Sequence, residues 1–173
     1  MKTLQKVCKT KRILIDGFNL MYKLPETDEH MHRGELAAAM KKLIRLAGEF
    51  ARSAKKDITV IFDGKKLEGD PTVSEKQNGI KIEYSHDLSA DFIIMQKIKK
   101  DKNPKMITVI TSDREIHFFL NRFMTPCIKS EDFAEIIKEH FNPAPANIPE
   151  KDENCILTED EISFWEKLFK SRS

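Results

Sequence analysis

The sequence predicts an α/β domain with a central, mostly parallel sheet flanked by helices, followed by a C-terminal helix. Three observations lead there. Three short runs are nearly all apolar and rich in β-branched residues, as strands buried on both faces are. Segments with apolar residues at helical spacing alternate with them, the pattern of parallel-sheet proteins. No internal repeat and no glycine-rich phosphate loop of GxGxxG or GxxxxGK[ST] type is present, so no nucleotide cofactor is expected.

Residues 12–16 (Arg-Ile-Leu-Ile-Asp) read as a first buried strand, after which Gly17, Phe18 and Asn19 turn the chain. Residues 33–54 carry Leu36, Met40, Leu43, Ile44, Ala47, Phe50 and Ala51 at helical spacing. Residues 58–63 form a second strand, again ending in aspartate. Periodicity is lost from 64 to 79, which reads as a mobile surface loop. Residues 80–84 are a third strand. Ser89 has the character of an N-cap for a helix running to about Lys100, with Asp91 in its first turn. Residues 106–111 make a fourth strand, with a helix from Asp113 to about Asn121. A short fifth strand at 125–128 and a helix at 131–140 complete the domain.

This places the domain at 1–140, a linker at 141–157 marked by Pro143, Pro145 and Pro149, and a helix at 158–173. Thr158 and Glu161 have capping-box spacing, and Ile162, Trp165, Leu168 and Phe169 share a face that is expected to dock on the domain.

Composition narrows the function classes. With 173 residues and 40% hydrophobic content, the chain can bury a core. No apolar run approaches the ~20 residues of a membrane helix, and the basic start lacks the apolar stretch of a secretory signal, so a cytoplasmic protein without a membrane partner is expected. Cys8, Cys127 and Cys155 are widely spaced and form no CxxC pair, which speaks against a zinc site or a disulfide framework. His30 and His32 fall near an expected loop and read as solvated. Net charge is only +2. Residues 141–173 hold four Lys/Arg and seven Asp/Glu, which leaves 26 against 21 in residues 1–140, a balance of +5.

The aspartates carry the chemistry. Asp16, Asp63 and Asp113 each follow the carboxyl end of an expected strand, the edge where parallel sheets form their sites. Asp91, early in the helix after the third strand, belongs to the same edge. Taken singly, each reads as a turn former or helix cap. Four together would repel unless a cation neutralised them. Mg2+ or Mn2+ is the expected cation, because hard ions prefer oxygen ligands.

The motifs Ile13-Leu14-Ile15-Asp16-Gly17-Phe18-Asn19, Val60-Ile61-Phe62-Asp63-Gly64, Ser89-Ala90-Asp91 and Val109-Ile110-Thr111-Ser112-Asp113-Arg114-Glu115 together resemble the YacP-like NYN family of PIN-like nucleases. The resemblance runs from about Arg12 to His140, and the terminal helix with Trp165 resembles that family's ending. It implies a PIN-like three-layer fold and a Mg2+- or Mn2+-dependent endoribonuclease. Asp16, Asp63, Asp91 and Asp113 map to its acidic cluster, Asn19 to the polar residue after the first strand, and Ser112 and Arg114 to the motif around the last acid. Phe18 stands where many relatives carry tyrosine. Some relatives cleave messenger RNA on the ribosome, so RNA and the ribosome are the implied partners.

Asp16 and Asp113 are expected to form the main metal cradle, with Asp63 and Asp91 completing it and Asn19 and Ser112 bonding a carboxylate, a water or the phosphate. Arg114 suits a phosphate, or equally a surface ion pair. Lys65 and Lys66 are expected to contact RNA. Lys97, Lys99, Lys100 and Lys102 read as a solvated face, Phe18 as core, and Tyr22 as either core or base-stacking. The alternative is a non-catalytic RNA- or ribosome-binding module of the same fold. A haloacid-dehalogenase-type phosphatase is disfavoured because Phe18 stands where its second acid would be.

Overall fold

Every side chain from Ile13 to Ile15 is buried because strand β1 (Arg12–Asp16) lies inside the sheet with a neighbour on each side. The computed structural model describes residues 9–64 and 74–141. After β1 come α1 (Gly17–Met21), α2 (Pro25–His32), α3 (Leu36–Ala54), β2 (Asp57–Phe62), β3 (Ser74–Gln77) and β4 (Ile80–Tyr84). They are followed by α4 (Ala90–Lys100), a 3-10 turn (Pro104–Met106), β5 (Ile107–Ile110), α5 (Arg114–Arg122), β6 (Cys127–Ile128) and α6 (Ser130–Phe141).

The sheet order is β3-β4-β2-β1-β5-β6. All pairings are parallel except β3 with β4. The chain leaves β1 toward β2 on one side and later returns to β5 on the other. The carboxyl end of β1 is therefore a topological switch point, the position at which open parallel sheets form their sites.

Period-two alternation divides the side chains between two cores, as a sheet covered on both faces requires. Ile13, Ile15, Val60, Phe62 and Ile82 pack with residues of α1, α3 and α6, including Leu43, Phe50 and Phe133. Leu14, Ile61 and Val109 face the other way, onto Ala90, Ile94 and Ile98 of α4 and Ile116 and Leu120 of α5. The α/β class and its mostly parallel sheet are thus as expected.

Some local expectations change. The chain after β1 forms the short helix α1 rather than a simple turn. Residues 25–32 are helical, so His30 and His32 lie on α2; His30 bonds Glu35 at 2.7 Å, and His32 pairs with Asp28 at 3.3 Å. Pro25 starts α2 with its φ already suited to a helix, and buried Thr27 donates to the carbonyls of Met21 and Leu24. Helix α3 begins at Leu36, three residues later than expected, and ends at Lys55, whose φ of 53° takes it out of the helix.

Residues 74–77, expected as loop, are the edge strand β3. Its exposed Ser-Glu-Lys-Gln run has no apolar alternation to betray it. Lys65, Lys66, the linker and the helix with Trp165 lie outside the described residues. Among the described residues, no helix is long and apolar enough to cross a membrane.

Candidate active site

Asp16 ends β1 and begins α1. Its Oδ1 accepts the Asn19 backbone N–H at 3.2 Å, the N-cap bond of α1, and its Oδ2 accepts the Thr111 hydroxyl at 3.1 Å. Gly17 is required at the next position. A Cβ there would lie 2.5 Å from the ring of Phe62 and 3.0 Å from the Ile61 carbonyl oxygen. The missing side chain lets α1 leave the sheet close over β2 and keeps Asp16 at the strand end.

Asp63 directly follows β2. Its Oδ1 accepts the Ser85 hydroxyl at 3.2 Å and the Ala90 backbone N–H at 2.6 Å, so it anchors the start of α4. Ser89 caps that helix at the Phe92 N–H, which puts Asp91 in its first turn. Asp113 caps α5, with Oδ1 accepting from Glu115 and Ile116 at 2.7 and 3.0 Å. For Asp63 and Asp113 the second carboxylate oxygen has no hydrogen-bond partner among the described residues. Asp113 is the helix cap that its bland reading held, whereas Asp63, read blandly as a turn residue, anchors the start of α4.

The four acids feel one another. Burial pushes the Asp16 carboxyl up to about 6; the Asn19 and Thr111 bonds oppose the rise, and the charges of Asp91 and Asp63 add to it. Asp91 is also raised, first by burial and then by Asp113, Asp63 and Glu115. Among the described residues no Lys, Arg or His forms an ion pair with any of the four. Among the described residues, the negative charge at the strand ends has no ion-pair partner.

Asn19 and Ser112 sit behind these acids. Asn19 Oδ1 accepts the Ser112 backbone N–H at 3.0 Å and the Ser130 hydroxyl at 2.7 Å. The Ser112 hydroxyl donates to Glu131 and accepts the Ser130 backbone N–H at 3.0 Å. Glu131 also pairs with Lys23 at 3.0 Å. The Ser112 bond, its own backbone N–H and Lys23 together hold the Glu131 carboxyl down at about 2. Asn19 and Ser112 thus form a brace joining α1, the β5–α5 connection and α6.

Sequence reasoning missed Thr111, Ser130, Glu131 and Glu115. Thr111 was within reach, because it adjoins Ser112-Asp113; Ser130 and Glu131 gave no signal, being joined to the site by folding alone. Arg114 is exposed, with no ion pair among the described residues, so the surface-pair reading finds no partner there. Lys97 is taken up by Glu83 at 2.8 Å. Phe18 packs edge-on to Phe62, with centroids 5.8 Å apart, and belongs to the core; Tyr22 is exposed.

An all-oxygen set with excess negative charge suits Mg2+ or Mn2+. Among the described residues, however, no three acid, imidazole or thiol side chains form a ready metal cage. Magnesium does not require one, since it is commonly held by one or two carboxylates with water completing the shell. The residues fit such a partly hydrated ion and not a closed all-protein site.

Comparison with known proteins agrees with this architecture. No curated protein matches the chain. Among solved structures, Rae1 (YacP) from Bacillus subtilis matches with a TM-score of 0.60 at 17% identity, covering 92% of this chain and 91% of that one. A tryptophan-to-leucine variant of that protein matches with a TM-score of 0.61 at 16% identity, over 78% of this chain and 80% of the other. At such identity the likeness is one of fold. The YacP-like NYN domain family matches residues 13–169, so nearly the whole sequence takes part in the agreement, and the chain belongs to that family.

Proposed function

We propose that this protein is a cytoplasmic, metal-dependent endoribonuclease that hydrolyses RNA phosphodiester bonds, with messenger RNA on the ribosome as its setting. The observation that supports the reading is that Asp16 feels the charges of Asp91 and Asp63, and Asp91 those of Asp113 and Asp63, with no ion pair to any of the four among the described residues. A binder of polyanions has no use for such acids, whereas a nuclease site does.

Asp16 and Asp113 are the proposed main ligands for Mg2+ or Mn2+, with Asp63 and Asp91 adding charge and bonding water. A divalent cation bound there supplies charge neutralisation and acidifies water, the two needs of phosphodiester hydrolysis at neutral pH. The protein's own groups do the rest. Thr111 and the Asn19 N–H fix both oxygens of Asp16. The Asn19–Ser112–Ser130 brace holds the β5–α5 connection beside it. Exposed Arg114, one residue from Asp113, is placed to meet a phosphate of the substrate. Lys65 and Lys66 remain proposed RNA contacts.

The test is cleavage of labelled RNA, free and on translating ribosomes, with and without Mg2+ or Mn2+, for the parent and Asp16→Asn. Metal-dependent cutting that disappears in Asp16→Asn is the expected result. The second reading is an RNA- or ribosome-binding module of the same fold that does not cut. A folded parent that binds RNA but never cleaves it would establish that reading instead.

A further inference from the structure

Helix α5 buries one side and leaves the other unexplained by packing. Ile116 and Leu120 are fully buried against the sheet, with Phe119 and Phe123 packed partly over the same core. On the outward side, Arg114, Phe118 and Arg122 recur at i, i+4 and i+8, which sets them in one stripe along the helix. Phe118 is 74% exposed, the most exposed large hydrophobic residue among those described. A phenylalanine so placed contributes little to folding.

Arg114 and Arg122 are exposed and make no ion pair among the described residues. Arg12, Arg33 and Arg45 differ, being tied to Asp101, Glu29 and Glu49. The stripe begins one residue from Asp113 and extends ~12 Å at the rise of an α-helix. Two exposed guanidinium groups with an exposed ring between them match the chemistry of unpaired nucleic acid: arginines take phosphates and the ring takes a base face. Positive ends on the stripe complement a polyanion, and a duplex would keep its bases from the ring.

We propose that the outward face of α5 is a track for single-stranded RNA leading from the acidic edge, in which Arg114 and Arg122 hold phosphates and Phe118 stacks on a base. The proposal rests on the ribonuclease reading and adds to it a preference for unpaired substrate.

Binding is measured separately from cutting, in the Asp16→Asn background, with a short single-stranded RNA carrying 2-aminopurine and with a duplex control. Phe118→Ala is expected to weaken single-strand binding about tenfold or more, in line with the loss of one base–aromatic stack. It should also abolish 2-aminopurine quenching and leave duplex affinity unchanged. Arg122→Ala is expected to lower the slope of log affinity against log salt by about one.

Unchanged single-strand affinity in both variants overturns the track. If the parent still cuts RNA in that case, the nuclease reading stands alone. Loss of ribosome binding with free RNA unaffected would assign the stripe to a protein partner and also overturns it. A parent that neither cuts nor binds RNA removes both readings.

Discussion

The Thr111 hydroxyl reaches Asp16 at 3.1 Å across the seam between neighbouring strands and also accepts the Asp113 backbone N–H at 3.1 Å. One side chain thus ties two of the four site acids to each other. Its donated bond pulls the Asp16 carboxyl down against a larger burial effect. Thr111→Val keeps the shape and removes both bonds. It is expected to cost about 1–2 kcal/mol of stability and to move Asp16 further up. The acid limb of the cleavage pH profile should then shift to higher pH, whereas a change in stability alone leaves the limb in place.

Asp16 itself opposes folding at neutral pH. Its carboxyl titrates near 6 in the folded chain against 3.8 as a free side chain. The folded state therefore holds the proton more tightly. Stability falls as pH rises through that window, and the loss is complete above the folded value. Asp16→Asn keeps an N-capping oxygen without the charge. Metal-free Asp16→Asn is expected to be on the order of 2 kcal/mol more stable than the parent at pH 7.5 and about equal to it at pH 3.5. Urea unfolding at the two pH values tests this, and an Asn variant less stable at pH 7.5 refutes it.

Gly17→Ala puts a methyl group 2.5 Å from the Phe62 ring, which is fully buried and cannot step aside cheaply. Overpacking of this kind costs about 1–3 kcal/mol. The displaced element is α1, whose first bond is made by Asp16, so cleavage should fall along with the melting temperature. A Gly17→Ala protein with parental melting temperature and rate would show that α1 can shift freely.

Glu83 of β4 is 7% exposed and pairs with Lys81 at 2.7 Å and Lys97 at 2.8 Å. Burial alone would raise its carboxyl, but the bonds and charges of the two lysines outweigh burial and leave it below its ordinary 4.5. The folded state thus favours the ionised form. That stabilisation is present above pH ~4.5 and is lost as pH falls through the lowered folded value. Glu83→Gln should therefore lower the urea midpoint at pH 7 and converge with the parent in acid, below the folded value. A constant difference at both pH values would assign the loss to packing instead.

Much of the frame was legible because it depends on local chemistry. Strands 12–16 and 80–84 could be read to the residue, the first from its apolar Ile-Leu-Ile run and the second from the alternation of Ile80 and Ile82 with Lys81 and Glu83. Helix α2 escaped because Pro-Glu-Thr-Asp-Glu-His-Met-His buries only Thr27 and shows no apolar stripe. Strand β3 escaped because an edge strand can be wholly polar. That Asp16 ends a strand and that Asp63 directly follows one was legible from the strand pattern. The brace was not, because Asn19 and Ser130 lie 111 residues apart and meet only in the folded chain. Asp63 and Asp113 each anchor or cap a helix with one oxygen, and the second oxygen has no hydrogen-bond partner among the described residues.

The two rims of the sheet have a consequence for self-association. At one rim β6 pairs through only two residues, Cys127 and Ile128. At the other, β3 presents Ser74, Glu75, Lys76 and Gln77, a charged and hydrophilic run that offers little to an incoming chain. Short or charged rims are how proteins discourage strand addition and the aggregation that follows it. A long, flat, apolar rim would invite neighbouring copies to join the sheet at high concentration; among the described residues neither rim offers such a template.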